Sequence, residues 1–235
     1  MDFSKVKDTY KSNAPIQKEM AHNLVSNLIK LKGKSYDTVF EIGSGTGFLT
    51  ENIKEKIKYN KIILNDLSDN FTNIIPNEYL KGDILDVDLN FKSDLIISNA
   101  AIQWIDDYNK LFSKLYNNLN FGGIFCFTTF GKDNFRQIKD ITGFGLNYPD
   151  LDEFIKKAGF EILYFEQELN TMYFKNINEL LLHIKLTGVK VENKVWTKKD
   201  FLHFKNRYLE KYKDDMGYEL TYHPLYYYLT KPYNS

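Results

Sequence analysis

Cysteine is almost absent from this sequence: Cys126 is its single thiol, set in the apolar run Ile124-Phe125-Cys126-Phe127. One thiol cannot close a disulfide within the chain, so the residue reads as core in a protein of a reducing compartment. Net charge is absent as well. Lys+Arg and Asp+Glu number 31 each, which leaves no global attraction for nucleic acid or an anionic membrane, so any charged partner must meet a local patch. Nowhere does the chain hold the ~18 consecutive apolar residues of a membrane span, and Met1-Asp2-Phe3-Ser4-Lys5 lead into no apolar signal core. A cytoplasmic monomer is expected, with neither nucleic acid nor membrane as partner and with no metal ion. Internal repeats and low-complexity tracts are missing too, which excludes a solenoid.

What is present is an alternation of two periodicities. Ile16, Met20, Leu24, Leu28 and Leu31 recur at helical spacing behind Pro15, as in an amphipathic helix that opens on proline. The short apolar runs 38–42, 61–64, 94–98 and 124–130 do not alternate with polar residues, and helical patterns at 48–57, near 69–75 and at 107–119 separate them. Uniformly apolar strands between helices indicate a parallel sheet covered on both faces. Beyond residue 130 come a Gly-containing stretch, a helix at 151–158 stopped by Gly159, a strand near 161–169, and two further helices. The first of these carries Asn176 and Glu179, the second Thr197 and Asp200, each pair at capping-box spacing. A last strand is expected from Leu220 to Leu229, with Pro224 marking an edge or a bulge.

Residues 41 to 47 read Glu-Ile-Gly-Ser-Gly-Thr-Gly, after a strand and at the opening of a helix. Gly43 and Gly45 let the backbone turn tightly and approach a ligand with no Cβ in the way. The helix N-terminus that follows suits a pyrophosphate or a carboxylate. A dinucleotide fingerprint spaces its glycines G-x-G-x-x-G, whereas Gly43, Gly45 and Gly47 are spaced G-x-G-x-G, with Ser44 inside the loop and acidic Glu41 before it. A glycine loop alone is an ordinary turn. This one is accompanied by Asp66 at the end of the second strand, where an acidic side chain can accept from both ribose hydroxyls. Asp83 follows the third strand region, and Asn99 follows the fourth at the carboxyl edge where open α/β sheets bind ligands. A helix cap would explain Asp66 taken singly, and a turn Gly82-Asp83. Chance does not readily place four such groups at four consecutive strand ends.

The Glu-x-Gly-x-Gly-x-Gly pattern resembles the signature of class I S-adenosylmethionine-dependent methyltransferases, from residue 37 to near 130. That resemblance implies a Rossmann-like fold: a seven-stranded, mostly parallel sheet whose last strand is antiparallel, with a helical insertion before it. It implies Glu41 near the methionine end of the cofactor, Asp66 and Leu67 beside the ribose, Asp83 on the adenine amino group and the backbone N–H of Ile84 on the ring. One family is resembled over nearly the whole chain, the malonyl-acyl-carrier-protein O-methyltransferases of biotin synthesis. The likeness is carried by Ala14-Pro15-Ile16-Gln17, Asn65-Asp66-Leu67-Ser68, the run from Ile97 to Trp104, the run from Thr128 to Phe135, His183-Ile184-Lys185-Leu186-Thr187-Gly188-Val189 and Leu220-Thr221-Tyr222-His223-Pro224. The His-x-Lys-x-Thr-Gly and Thr-Tyr-His-Pro segments are its most specific parts, because no generic methyltransferase core requires them. Ser44 departs from the family's usual cysteine; both are small and polar.

Family resemblance implies one domain: an N-terminal arm and helix over 1–36, a cofactor-binding core over 37–170, an inserted helical lid over 171–216 and the last strand over 217–235. It implies methylation of the free carboxylate of malonyl-acyl carrier protein. That carboxylate is ionised at pH 7 and the sulfonium carbon is activated, so no general base is expected, only alignment in a dry pocket. Residues that could hold the anion are Tyr10, His183, Lys185, Thr187 and His223; Tyr10 with Gln17 resembles the family's N-terminal arm, and Gln103 and Trp104 are placed to wall the cavity. The basic stretch from Lys194 to Lys213 is a docking surface for the carrier protein or an ordinary solvated face. Two other functions stay open: methylation of another carboxylate or small molecule, and a non-catalytic cofactor-binding partner subunit.

Overall fold

The computed structural model describes residues 14–69, 75–143, 145, 148–186 and 197–233. Tyr10, Thr187, Lys194 and most of the helix expected near 69–75 lie outside them. The described chain divides into two compact units, the larger from Pro15–Thr129, Asp150–Glu166 and the chain from Leu225, the smaller from Phe130–Pro149 and Gln167–Pro224.

In the larger unit, helix α1 (Pro15–Lys32) buries Ile16, Met20, Leu24, Val25 and Leu28 along one side. Strand β1 (Thr38–Ile42) leads through the glycine loop into α2 (Phe48–Lys56), and β2 (Lys61–Asp66), β3 (Glu78–Lys81) and β4 (Ser93–Asn99) follow. Helix α3 (Tyr108–Asn118) starts at Asp107, whose carboxylate accepts the Lys110 N–H, and β5 (Leu119–Phe130) comes directly after it. All four pairings among these five strands are parallel. Their centres, Val39-Phe40, Ile62 to Leu64 and Leu95 to Ile97, are buried throughout, as in a sheet covered on both faces. Helix α5 (Asp152–Ala158), β6 (Glu161–Gln167) and β10 (Pro224–Thr230) complete the sheet in the order β3-β2-β1-β4-β5-β10-β6. The last strand is antiparallel: Gly122 donates its N–H to the Lys231 carbonyl and Lys231 donates back to Gly123, a reciprocal exchange that opposed strands make. Cys126 is fully buried in β5, and burial holds its thiol well above the ordinary value. Among the described residues no helix is long and apolar enough to cross a membrane.

The smaller unit holds α4 (Arg136–Thr142), β7 (Asn170–Phe174), α6 (Ile177–Leu186), α7 (Lys198–Tyr212), β8 (Lys213–Asp214) and β9 (Gly217–Tyr222). Its three strands form an antiparallel sheet in the order β7-β9-β8. Both expected caps are present: Asn176 accepts the Glu179 N–H, and Thr197 with Asp200 makes a full capping box. Gln137 is completely buried and pairs with Thr221 twice, donating to its hydroxyl at 2.7 Å and accepting its N–H at 3.0 Å.

Three elements differ from the pattern read in the sequence. Gly122 and Gly123 lie inside β5 rather than before it; the register with β4 jumps there from Ser93↔Leu119 to Leu95↔Ile124, and Gly122 sits at φ +73°, as a bulge requires. The strand expected near 161–169 is β6 in the large sheet, and a further strand that the pattern did not indicate, β7, follows it in the small one. The single last strand expected from Leu220 to Leu229 is two. The chain leaves the small sheet at Tyr222, passes His223 and enters the large sheet at Pro224, whose missing N–H is tolerated at the first position of a strand.

Lys231 follows β10 and is almost completely buried. Its ammonium donates to the carbonyls of Tyr116 at 2.9 Å and Leu119 at 3.0 Å, at the C-terminal end of α3, and lies 4.6 Å and 4.7 Å from the ring centres of Tyr116 and Phe121. A cation there meets the negative end of the helix dipole. Lys231→Met, which keeps the apolar stem, is expected to lower the unfolding free energy by about 2 kcal/mol, read as a lower urea midpoint at unchanged slope.

Candidate functional site

The glycine loop is shaped by the strand next to it. Gly43 and Ser44 both donate their N–H groups to the Asn65 carbonyl, at 2.8 and 3.0 Å, and Gly45 donates to the Asp66 carboxylate at 2.8 Å. Gly43, Gly45 and Gly47 all have left-handed φ, +70°, +47° and +92°. A Cβ added at Gly43 would lie 2.4 Å from the Cβ of Ala101, so the loop and the end of β4 touch there. Only a glycine meets both demands at that point, the backbone angle and the clearance.

Asp66 is half-buried, and each carboxylate oxygen already accepts one backbone N–H, from Gly45 and from Ser68 at 2.9 Å. These bonds hold the carboxylate at the strand end and leave lone pairs for the two hydroxyls of a diol. Leu67 beside it is strongly exposed, an apolar surface on which a flat group could rest. Asn65, which the sequence did not single out, ties β2 to the turn after β3 by donating to the carbonyls of Leu80 and Gly82. In that turn Asp83 is exposed and caps the Leu85 N–H, while the Ile84 side chain belongs to the core. What Ile84 can offer a ligand is backbone.

Glu41 is fully buried in β1, and neither of its oxygens has a hydrogen-bond partner among the described residues. Burial, reinforced by the negative charge of Asp66, pushes its carboxyl up to about 8; Thr50, near but outside hydrogen-bond geometry, pulls the other way. Gln17 Oε1, Ser44 Oγ and Thr50 Oγ1 are also buried without partners among the described residues. Unmatched polar atoms of this kind are rare in a finished core. Their concentration around the glycine loop and the start of α1 and α2 fits a group with a cationic, hydrogen-bonding end, as the methionine moiety of S-adenosylmethionine has.

Asn99 closes the series at the end of β4. Its amide donates to the Gln17 carbonyl at 3.0 Å and accepts the Thr128 hydroxyl at 2.6 Å, so the N-terminal helix, β4 and β5 meet at one side chain. Gln103 is partly buried and donates to the Ala100 carbonyl, and Trp104 is partly exposed.

The residues proposed for the acceptor fall out differently. Lys185 is exposed on α6. His183 is buried on the same helix, with Nε2 2.7 Å from the Tyr222 hydroxyl and its ring 5.0 Å from that of Phe174; burial lowers its pKa. His223 is buried with both ring nitrogens engaged: Nδ1 accepts the Asp133 N–H at 3.2 Å, which leaves Nε2 to donate to Gln167 at 3.1 Å. The ring lies against Gly131, where an added Cβ would come within 2.6 Å of it. Burial lowers the pKa of His223 too, against the opposing charge of Asp133.

A methyltransferase-domain family model matches residues 40–127, the span from β1 to β5. Curated malonyl-[acyl-carrier protein] O-methyltransferases are similar over far more of the chain. That of Calditerrivibrio nitroreducens is 42% identical over 98% of this chain and 95% of its own length, and that of Acinetobacter baylyi is 34% identical over 95% and 92%. Among solved structures, a candidate methyltransferase from Bacillus halodurans superposes with a TM-score of 0.65 at 14% identity, covering 90% of this chain and 99% of that one; this is likeness of fold.

Glu41 generates a pH dependence. Its carboxyl titrates near 4.5 when unfolded and near 8 when folded, so between those values the folded chain keeps a proton that the unfolded chain has lost. Stability contributed in this way is complete below pH 4.5 and falls as pH rises towards 8, by about 1 kcal/mol per pH unit. The difference in urea stability between the wild-type chain and Glu41→Gln, measured without ligand at pH 5 and pH 8, should show this slope; equal differences at both values would refute a protonated Glu41.

Proposed function

The chain belongs to the malonyl-[acyl-carrier protein] O-methyltransferase family, and from that premise we propose that it transfers the methyl group of S-adenosylmethionine to the free carboxylate of malonyl-acyl carrier protein. The observation that carries the reading is that the likeness extends beyond the cofactor core to nearly the whole length of the relatives. The product is the malonyl methyl ester that enters biotin synthesis.

In-line displacement joins a carboxylate oxygen to the methyl carbon as the carbon–sulfur bond breaks, the sulfur keeping the electron pair. A malonate carboxylate carries no proton at pH 7, so no residue of the chain has to remove one. The work left to the protein is alignment and exclusion of water. On this reading Asp66 accepts the ribose hydroxyls beside Leu67, Asp83 and the Ile84 N–H read the adenine, and Gly43 to Gly47 pass under the cofactor. Glu41, Ser44, Gln17 and Asn99 surround its amino-acid end, with Tyr10 from the N-terminal arm. Lys185 and Thr187 serve the acceptor carboxylate, and His183 and His223, already engaged within the fold, support that region without touching the acceptor. The protein works as a cytoplasmic monomer.

The carrier protein is proposed to dock on α7. Lys198, Leu202, Lys205 and Leu209 follow one another at steps of four, three and four, so they share one side of the helix. Leu202 and Leu209 are exposed, as are both lysines. Lys211 is drawn away by its ion pair with Asp140 at 2.9 Å. A ridge that alternates cation and aliphatic side chain suits a partner helix with acidic and apolar residues, and its charges act mainly on the rate of encounter.

Purified chain with methyl-labelled S-adenosylmethionine and malonyl-acyl carrier protein should yield labelled methyl ester on the carrier. Absence of label in the malonyl group, with cofactor binding intact, would remove the acceptor assignment and leave the reaction class. Asp66→Ala should weaken cofactor binding by roughly 10- to 100-fold. Lys198→Glu with Lys205→Glu should raise KM for the carrier-bound substrate several-fold and leave a malonyl-pantetheine substrate unaffected; equal effects on both substrates would exclude docking on α7.

A further inference from the structure

We infer that Thr128 is a positioning residue for the cofactor site: its hydroxyl fixes the orientation of Asn99 and the left-handed turn at Ala100, and so the separation between the end of β4 and the glycine loop. The inference rests on the proposed reading, in which Asn99 and that loop face the cofactor.

Thr128 is fully buried in β5, directly opposite Asn99 in the parallel register. It is therefore not a residue that touches a ligand. Its hydroxyl accepts the Ala100 N–H at 3.0 Å and donates to Asn99 Oδ1 at 2.6 Å. The direction of these bonds is dictated by the partners. An N–H can only donate, so the hydroxyl presents a lone pair to Ala100 and its proton is left for the oxygen that Asn99 turns towards it. The other end of the amide then meets the Gln17 carbonyl at 3.0 Å, which can only accept. The Gln17 carbonyl thus assigns the amide orientation, the Thr128 hydroxyl matches it by donating to Oδ1, and a flipped Asn99 would face that carbonyl with an acceptor.

The second effect is on the backbone. Ala100 has φ +50°, one of two non-glycine residues with positive φ among the described residues, and such a conformation persists only where surrounding bonds enforce it. Here the Thr128 hydroxyl and the Thr128 carbonyl, 3.2 Å away, both accept the Ala100 N–H. The turn delivers Ala101 against Gly43, where the clearance leaves no space for a Cβ. Loosening Ala100 would change the gap between two loops that the cofactor has to bridge. Serine, with the same hydroxyl, can do all of this; valine, with the same shape, can do none of it.

The test uses the full chain and three variants, Thr128→Val, Thr128→Ser and Asn99→Ala, with the Asn99→Ala/Thr128→Val double variant. Calorimetric titration with S-adenosylhomocysteine should show Kd raised about tenfold by valine and restored to within twofold by serine. At saturating S-adenosylmethionine kcat should be nearly unchanged, so the loss appears in KM. The losses in the double variant should be less than additive, because part of the Thr128 effect passes through Asn99 and the rest through Ala100. A valine variant that melts at a lower temperature yet binds like the wild type, a serine variant that fails to recover binding, or additive losses in the double variant would each overturn the inference. Should valine prevent folding, Thr128→Ala paired with the serine variant makes the same comparison. A wild-type chain that bound no S-adenosylhomocysteine would remove the functional reading itself and this inference with it, whereas wild-type binding untouched by valine removes the inference alone.

Discussion

The end of β2 holds the glycine loop open, and every other part of the site is referred to that contact. Two successive residues do it: the Asn65 carbonyl takes the N–H groups of Gly43 and Ser44, and the Asp66 carboxylate takes that of Gly45. Three amides that would otherwise point into the crevice are turned back on the protein, in a left-handed path that side-chain-bearing residues resist. The same aspartate is the group best placed to accept a diol. On the proposed reading one side chain both shapes the loop and recognises the ligand lying across it.

Around this contact the buried polar groups are short of partners among the described residues. Glu41, Gln17, Ser44 and Thr50 bury polar atoms that nothing among the described residues satisfies, a cost that a folded chain sustains where a ligand supplies the missing groups. Electrostatics in this protein is accordingly local. The chain as a whole is neutral, yet a buried carboxyl beside Asp66 is held protonated far above its usual range, and the exposed face of α7 gathers lysines between leucines. The neutral balance of charge says nothing against such patches, because a sum over the chain erases position.

The smaller unit is organised by polar side chains buried at the crossings of its backbone. Gln137 joins Thr221, Asn134 accepts the His223 N–H at 3.2 Å, and His223 engages Asp133 and Gln167. The Thr-Tyr-His-Pro segment marks the place where the chain changes sheets: Tyr222 ends one strand, Pro224 begins the next, and the ring of His223 rests on Gly131 between them. A motif that reads as chemistry is here also architecture, and the two readings meet in one residue.

Much of this was legible before any coordinates. Local rules determined the uniformly apolar strands, the helix that opens at Pro15, the caps at Asn176 and Thr197 and the glycine loop with its acidic followers at successive strand ends, because each depends on residues a few positions apart. Tertiary structure alone decided what depends on distant chain segments. It divided the expected last strand at His223, put Gly122 and Gly123 inside β5 as a bulge, and added β7 to a second sheet, since pairing partners, not propensity, choose where a strand ends. It also brought Thr128, Asn99 and Gln17 to one point although they are 29 and 82 residues apart from Asn99 along the chain. A threonine in an apolar strand carries no sign of such a task in its neighbours, because a hydrogen bond is specified by where the fold sets donor and acceptor.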